Sequence, residues 1–542
     1  MPRRVKQRRQ SWKWIALVVL IGLMPLALAG CGQPEEPTDD TATTATTTTS
    51  TDQPTTDPQN TIYTRREIAT FTPAETDALR KGIALMQQRP SSDPTSWMYQ
   101  ANIHGVPGQG ANCPANTDPM QEAWATCQHG SFFFLAWHRM YLYYFERILR
   151  DAVQEAAGDP NLQFALPYWD YSTRQLPDTF RAPTDPSNTL FVAQRRTSCN
   201  SPQAGQECVS ETQGSSTQAL TLTPDCNCPE GQATCDGCTA GLTPDETFGG
   251  EFTPQPEHFL GQFGELESQP HNVIHNRVGG FSGWMSDADC AARDPIFWLH
   301  HANIDRLWQV WLNQGGRINP LGSTAWTTQK FVFFDENKTR IEMTGCQVLN
   351  MATQLGYQYE GVPVNNVQLC NEQTPPTPGP EATPVPTAAA QELATTPERT
   401  VTLGSAPVKV SVPVPAGSRQ RMGSLAEAGQ PEKLRLVIEG LELIDHGGVY
   451  DVYMNLPQGQ KPDPKGPHFV GHLALFGHAG HGQESSRSFD ITDDLRRIQQ
   501  RGAWDGQINL TFVLSDGDTP ATGAEAAPAQ LIRFRQVSII TR

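Results

Sequence analysis

Two adjacent histidines, His300 and His301, sit inside the apolar run Asp294-Pro295-Ile296-Phe297-Trp298-Leu299-His300-His301-Ala302-Asn303-Ile304-Asp305-Arg306-Leu307-Trp308. Phe297, His301, Ile304 and Trp308 recur at helical spacing and so share one buried face. Pro295 suits the first turn of that helix, where a missing N–H costs nothing. Asp305 lies one turn beyond His301, placed either to orient its ring or to neutralise nearby charge. Upstream, His271 and His275 are four apart, so on a helix they point the same way and can grip one ion. His129 and His138 flank a second apolar run, Phe132 to Trp137. A lone histidine on an apolar face is usually a satisfied core residue. Several at ligand spacing in one chain point to a metal instead.

Two longer patterns sharpen this reading. His129-x4-Phe134-Leu135-x-Trp137-His138-Arg139-x6-Glu146 resembles the copper A signature of tyrosinases, plant polyphenol oxidases and molluscan haemocyanins. Asp294-Pro295-x-Phe297-x3-His301-x3-Asp305 resembles their copper B signature, with His271-x3-His275 between the two. Tyr99 to Gly105 resembles the plant segment that carries the first copper A ligand, which would be His104. The resemblance covers most of residues 61–372 and, more weakly, the region after the second linker.

The resemblance implies two copper ions per chain, one on His104, His129 and His138, the other on His271, His275 and His301. His300 would be the adjacent non-ligand. Six nitrogen donors without a thiolate pair suit copper cycling between two oxidation states. Zinc usually takes four ligands and has no redox chemistry with O2. Two such coppers can bind O2 and use it to oxidise phenols and o-diphenols to o-quinones. The implied scaffold is a mainly α catalytic domain, a four-helix bundle around the dicopper site.

Further residues take roles from the same resemblance. Glu267 and Asn272 stand where the family holds a water that deprotonates a monophenol; the alternative is a helix-surface pair. Cys127 has the Cys-x-His spacing at which fungal tyrosinases join a cysteine sulfur to a ligand, here His129; the alternatives are a disulfide or a free thiol. Ala288, thirteen before His301, falls where plant catechol oxidases often present a bulky aromatic, so a small residue should leave the mouth open to larger phenols. Arg139 and Glu146 read as structural ion-pairing residues. Tyr357-x-Tyr359 resembles the tyrosine motif that closes the catalytic domain. Besides a tyrosinase, the alternatives are a catechol oxidase, an O2 carrier, or a surface protein that sequesters copper.

The elements that must position these residues follow from the chain in order. With 542 residues it exceeds one ordinary domain. A formal net charge of -17 argues against nucleic acid as partner. Residues 1–31 have a basic start, an apolar run from Trp14 to Leu28, and Leu28-Ala29-Gly30-Cys31, which looks like a bacterial lipobox. That predicts a lipid on Cys31 and an extracytoplasmic, membrane-anchored protein. Arg8-Arg9 also resembles a twin-arginine export signal. Residues 32–60 are Thr- and Pro-rich and read as a disordered stalk.

Thr72-Pro73-Ala74-Glu75 reads as a capping box opening a helix with Leu79, Ile83 and Met86 inside. A second helix is expected from His138 to about Ala156, with Leu142, Phe145, Ile148, Leu149 and Ala152 buried. Residues 195–250 read as a Cys-rich insertion. Cys226, Cys228, Cys235 and Cys238 suit disulfides in an exported chain, and Cys199 can pair with Cys208. Residues 373–397 read as a Pro/Thr-rich linker. Beyond it, residues 398–542 alternate apolar and polar in short runs, an all-β pattern suiting a sandwich. This region resembles the C-terminal domain that keeps plant polyphenol oxidases latent, an intramolecular lid. Its candidate contact is Pro467 to His481, which holds four of the 13 histidines. Either Phe476 plugs the copper mouth, or the histidines hand copper to the site, or the stretch is a strand and turn with solvated histidines.

Overall fold

The computed structural model describes residues 61–171, 175–181, 188–200, 208, 266–313, 319–321, 323–365, 369–370, 391–427, 432–477, 485–502, 504–515 and 530–541. Cys31, the 32–60 stalk, the cysteines at 226–238, most of the 373–397 linker, and His478 and His481 lie outside these residues.

The helical domain begins with β1 (Tyr63–Arg65) and α1 (Pro73–Gln88). Thr72 caps α1 through a reciprocal bond with Glu75, and Pro73 occupies the first turn. Leu79, Ile83 and Met86 are buried, as their spacing predicts. Next come α2 (Trp97–His104), α3 (Phe134–Ala157), an irregular turn over Glu267–Asn272, α4 (Val273–Gly279) and α5 (Pro295–Leu312). Two expectations move here. The helix of His138 starts one turn earlier, at Phe134, because the apolar run before it is itself helical and buried. His271 lies in the irregular turn and not within a regular helix, because Gln269 is extended (φ -147°, ψ 119°) before Pro270. Asp294 caps α5 by accepting from the Ile296 N–H, and Pro295 follows at the first helical position.

A buried polar hub ties α3 and α5 to β1 and to β4 (Tyr357–Tyr359), which pairs with β1 in parallel. The Asp305 carboxylate accepts from Arg139 Nε at 2.5 Å, Tyr357 OH at 2.6 Å and Tyr359 OH at 2.8 Å. Arg65 spans Asp305, at 3.3 Å, and Glu146, at 2.5 Å. Burial raises the Asp305 pKa, but Arg139 and Arg65 outweigh it and hold the group below the usual carboxylate range. Asp305 therefore neutralises buried arginines; of the two roles its spacing from His301 allowed, this is the one its hydrogen bonds fill. Arg139 and Glu146 are structural, as expected.

The β domain packs two sheets around a core of its own. One has the order β10-β9-β12-β7, formed by Phe469–Ala474, Val449–Met454, Ile508–Leu514 and Val408–Val412. The other has the order β5 (Gln391–Thr395), β14 (Gln536–Thr541), β8 (Leu434–Leu443), β13 (Ile532–Phe534) and β6 (Val401–Leu403), with β11 (Ser485–Asp490) also on β8. Its long strand β8 (Leu434–Leu443) changes partner from β14 to β13 at Gly440, whose φ of +65° only glycine adopts readily. The domain starts earlier than residue 398. Strand β5 (Gln391–Thr395) buries Leu393 and Ala394, so the last residues assigned to the linker belong to the sandwich.

The domains meet at α4 and the edge strand β10. Val273 packs against Val449 and Ala474. At Gly447 (φ +90°) a Cβ would lie 1.8 Å from the Gly280 carbonyl oxygen, so only glycine allows this approach. The helical domain also closes its core with disulfides Cys113–Cys290, Cys199–Cys208 and Cys346–Cys370. Of these the sequence suggested only Cys199 with Cys208.

Candidate metal centre

The helical domain gathers the histidines into two groups that face each other. His104, His129 and His138, with Cys127, offer ligand atoms within 4.8 Å of one another. His271, His275, His300 and His301 do the same. His104 ends α2, His138 lies one turn into α3, His275 sits on α4 and His301 on α5; His129 and His271 come from the segments leading into α3 and α4. Across the gap the rings of His138 and His301 stack at 4.3 Å. All six residues expected as ligands are brought together.

The hydrogen bonds of these rings define what they can bind. His104 Nδ1 lies 2.8 Å from the Ala288 carbonyl, His138 Nδ1 2.8 Å from that of Phe134, and His275 Nδ1 2.7 Å from that of Met285. His271 Nδ1 lies 2.9 Å from Asn272 Oδ1. A carbonyl oxygen only accepts, so each Nδ1 carries the proton and each Nε2 keeps a lone pair. Nε2 of His275 then faces Nε2 of His301 at 3.2 Å, and Nε2 of His271 is buried without a hydrogen bond. Burial, reinforced by the neighbouring rings, pushes the pKa values of His138, His275 and His301 far below the ordinary range, and that of His271 down to about 3. The imidazoles are neutral donors. Converging lone pairs in a dry site are what a bound cation relieves.

Each group contains one further atom. Burial pushes the Cys127 thiol well up, away from the thiolate that metals prefer. Its Sγ lies 3.7 Å from both ring nitrogens of His129, and 3.4 Å from His138 Nε2. His300 Nδ1 lies 2.5 Å from Tyr171 OH, which also bonds the His300 carbonyl. Tyr171 thus fixes the His300 ring, a positioning contact that single-sequence spacing does not reveal.

Glu267 is buried beside the second group and accepts from the Gly130 N–H at 2.7 Å. Burial raises its pKa well above the usual range, and the Gly130 bond only partly offsets this. Asn272 uses Oδ1 on His271 and donates Nδ2 to the Ala474 carbonyl of the β domain at 3.2 Å. It is therefore not a surface residue. Ala288 is buried, and its carbonyl orients His104.

Phe476 reaches the centre from the β domain. Its ring stacks on His275 at 3.8 Å and lies 5.2 Å from His129 and 5.4 Å from His271. It is buried in the core of the helical domain, while Leu473 and Leu475 belong to the sandwich core. His468 and His472, which would be solvated were this stretch only a strand and turn, are buried. His472 Nδ1 bonds Asp451 at 2.9 Å and His468 Nδ1 bonds the Met454 carbonyl at 3.0 Å, so both serve the sheet.

Comparison with known proteins agrees with this geometry. Residues 94–314 match the common central domain of tyrosinase, and residues 322–369 match the polyphenol oxidase middle domain. Residues 390–523 match a domain family of unknown function. A tyrosinase of Hahella sp. (strain CCB-MM4) is 32% identical over 454 residues, covering 78% of this chain and 89% of its own. The chain belongs to the tyrosinase family. The chloroplastic polyphenol oxidase A1 of Vicia faba is 28% identical over 469 residues, covering 80% of this chain and 71% of its own. Among solved structures, latent apple tyrosinase superposes with a TM-score of 0.56 at 22% identity, covering 89% of this chain and 97% of its own. Latent aurone synthase gives 0.55 at 20%, covering 90% of each. These structures share the fold, helical domain and β domain together. As a family member the protein is a dicopper oxidoreductase acting on phenols.

The ligand set is checked by metal content. Wild-type protein should bind two coppers per chain, and His138→Ala or His301→Ala should lose one copper and essentially all turnover. His300→Ala should retain two. Two coppers and full turnover in either of the first variants would contradict the assignment.

Proposed function

We propose that this tyrosinase-family enzyme both hydroxylates monophenols and oxidises o-diphenols to o-quinones, and that it is latent while the β domain covers the site. Two copper ions held by His104, His129 and His138, and by His271, His275 and His301, would bind O2 and take up the electrons. The observation that carries the hydroxylase reading is that Glu267 and Asn272 are both buried in the turn that carries His271, with Asn272 bonded to the His271 ring. Burial raises the Glu267 pKa, which makes its carboxylate a stronger base than an exposed one. With Asn272 it would hold a water that takes the proton from an incoming phenol. Ala288 would leave room for larger phenols at the mouth. The catechol-oxidase reading rests on Asn272 as well, because its Nδ2 is engaged by the Ala474 carbonyl in the covered chain.

Asn272→Gly separates the two. It should lower monophenol turnover about 100-fold and diphenol turnover less than about tenfold. Copper content must be measured alongside, because Asn272 also orients His271. An equal fall in both activities at full copper would end the water-holding role.

A Cys127–His129 thioether is part of the same proposal, supported by the approach of Sγ to the His129 ring. It would fix a ligand that comes from a loop. Copper-loaded protein exposed to O2 should be lighter by two hydrogens, and peptide mapping should join the two residues. A free, alkylatable Cys127 in active enzyme would refute it.

Latency is supported by Phe476, whose ring fills the space between the histidine groups and the β domain. The uncut chain should be nearly inactive. Nicking within 371–390 should raise catechol turnover at least about tenfold, and Phe476→Gly should raise it in the uncut chain. An uncut wild type as active as the nicked form would rule out the lid.

A further inference from the structure

Four ligand rings have a fixed Nδ1 acceptor, and they divide by where that acceptor lies. His138 bonds a carbonyl of its own helix, and His271 bonds its neighbour in the chain. His104 and His275 belong to different triads, yet both bond one short turn, at Ala288 and Met285. That turn is wedged between the ends of the helices that carry them. A Cβ on Gly105, next to His104, would lie 2.7 Å from the Ala288 carbonyl oxygen, and one on Gly279, the last residue of α4, would meet the Ser286 nitrogen. Glycine at both contacts brings main chain against main chain, so a shift of the turn moves both acceptors.

The side chain that holds this turn lies between the two acceptors. Asp287 is buried. Its Oδ1 accepts the Asp289 N–H at 2.9 Å, which folds the turn on itself. Its Oδ2 accepts the Asn112 N–H at 2.8 Å, which ties the turn to the loop after α2. Its own N–H donates to the Trp284 carbonyl at 3.1 Å, and its carbonyl accepts from the N–H groups of Cys290 and Ala291 at 2.9 and 2.8 Å. Bonds from main-chain N–H to a carboxylate are roughly twice as strong as neutral ones. The Cys113–Cys290 disulfide anchors the turn beyond both acceptors. Asp287 sits between them and sets the direction in which their carbonyls point.

We infer that Asp287 is a positioning residue for both metal sites at once. It aims the Met285 and Ala288 carbonyls that keep the Nδ1 proton on His275 and His104, and so leaves Nε2 of one ligand in each triad free for metal. The inference rests on the ligand assignment above and adds the residue that couples the two triads. From the β domain, His446 Nε2 comes within 3.7 Å of Asp287 Oδ2, too far for a hydrogen bond. The order of the turn is therefore its own and not borrowed from the cover.

The test uses NMR of the full-length, metal-free chain with isotope-labelled histidine. In the wild type, the rings of His104, His138, His271 and His275 should each carry their proton on Nδ1. In Asp287→Ala, His104 and His275 should become mixtures of both tautomers. His138, whose acceptor is on α3, should stay unchanged and so report an intact fold. Asp287→Asn, which keeps one acceptor oxygen, should fall between. Titration with copper should show affinity about 10- to 100-fold weaker at both sites together in Asp287→Ala, where a ligand variant loses one copper. His446→Ala should match the wild type in both measurements. Unchanged tautomers at His104 and His275 in folded Asp287→Ala overturn the inference, as does a change at only one of them, copper affinity equal to that of the wild type, or the same effect from His446→Ala. If the alanine variant does not fold, the asparagine variant decides, and wild-type tautomers in it overturn the inference. A wild-type chain that binds no copper overturns the ligand assignment, and the tautomers alone then decide the role of Asp287.

Discussion

Everything at the centre depends on where the Nδ1 protons of the histidines go. Three of the rings give that proton to a main-chain carbonyl and a fourth gives it to Asn272, so lone pairs are left pointing inward. The acceptors are not incidental. Ala288 and Met285, which orient His104 and His275, lie on the turn between α4 and α5. That turn is anchored by the Cys113–Cys290 disulfide and by Asp287, which accepts the Asn112 N–H at 2.8 Å. The disulfide thus stiffens the frame that sets the tautomers of both groups.

A second constraint holds the helices that carry the ligands. The Asp305 carboxylate lies one turn past His301, and Arg139 follows His138 directly, so their bond at 2.5 Å locks the two copper signatures together. Buried charge of this kind contributes little net stability against an apolar core, but losing one partner leaves an unpaired charge that costs about 3–5 kcal/mol. The hub works as a register device between α3 and α5, completed by Arg65, Tyr357 and Tyr359 from distant parts of the chain.

What was legible in the sequence was what is local. Histidine spacing, the capping box at Thr72 and the Asp294-Pro295 start of α5 depend on neighbours in the chain, and the alternating runs depend on one sheet face. The two long signatures named the centre because they combine ligands with the residues that brace them. What was not legible depends on distant contacts. Nothing near Cys113 announces Cys290, nothing near Tyr171 announces His300, and the role of Asp305 needed Arg65 from the far end of the domain. The linker boundary failed because β5 is an outer strand, with only Leu393 and Ala394 buried among polar residues. Phe476 stood out as an apolar residue in a Gly-rich stretch. That His468 and His472 serve the sheet followed only from partners far along the strand order.

Two histidine triads, four of whose six rings are set by Nδ1 bonds, would hold a metal pair beneath Phe476. Anomalous diffraction at the copper edge from crystals of copper-loaded, full-length protein tests it directly. The account predicts two copper peaks about 3.5–4 Å apart, each against three Nε2 atoms of its own triad, with the Phe476 ring still against His275. A single peak, a copper bound through Nδ1, or His300 in place of one of the six would contradict it.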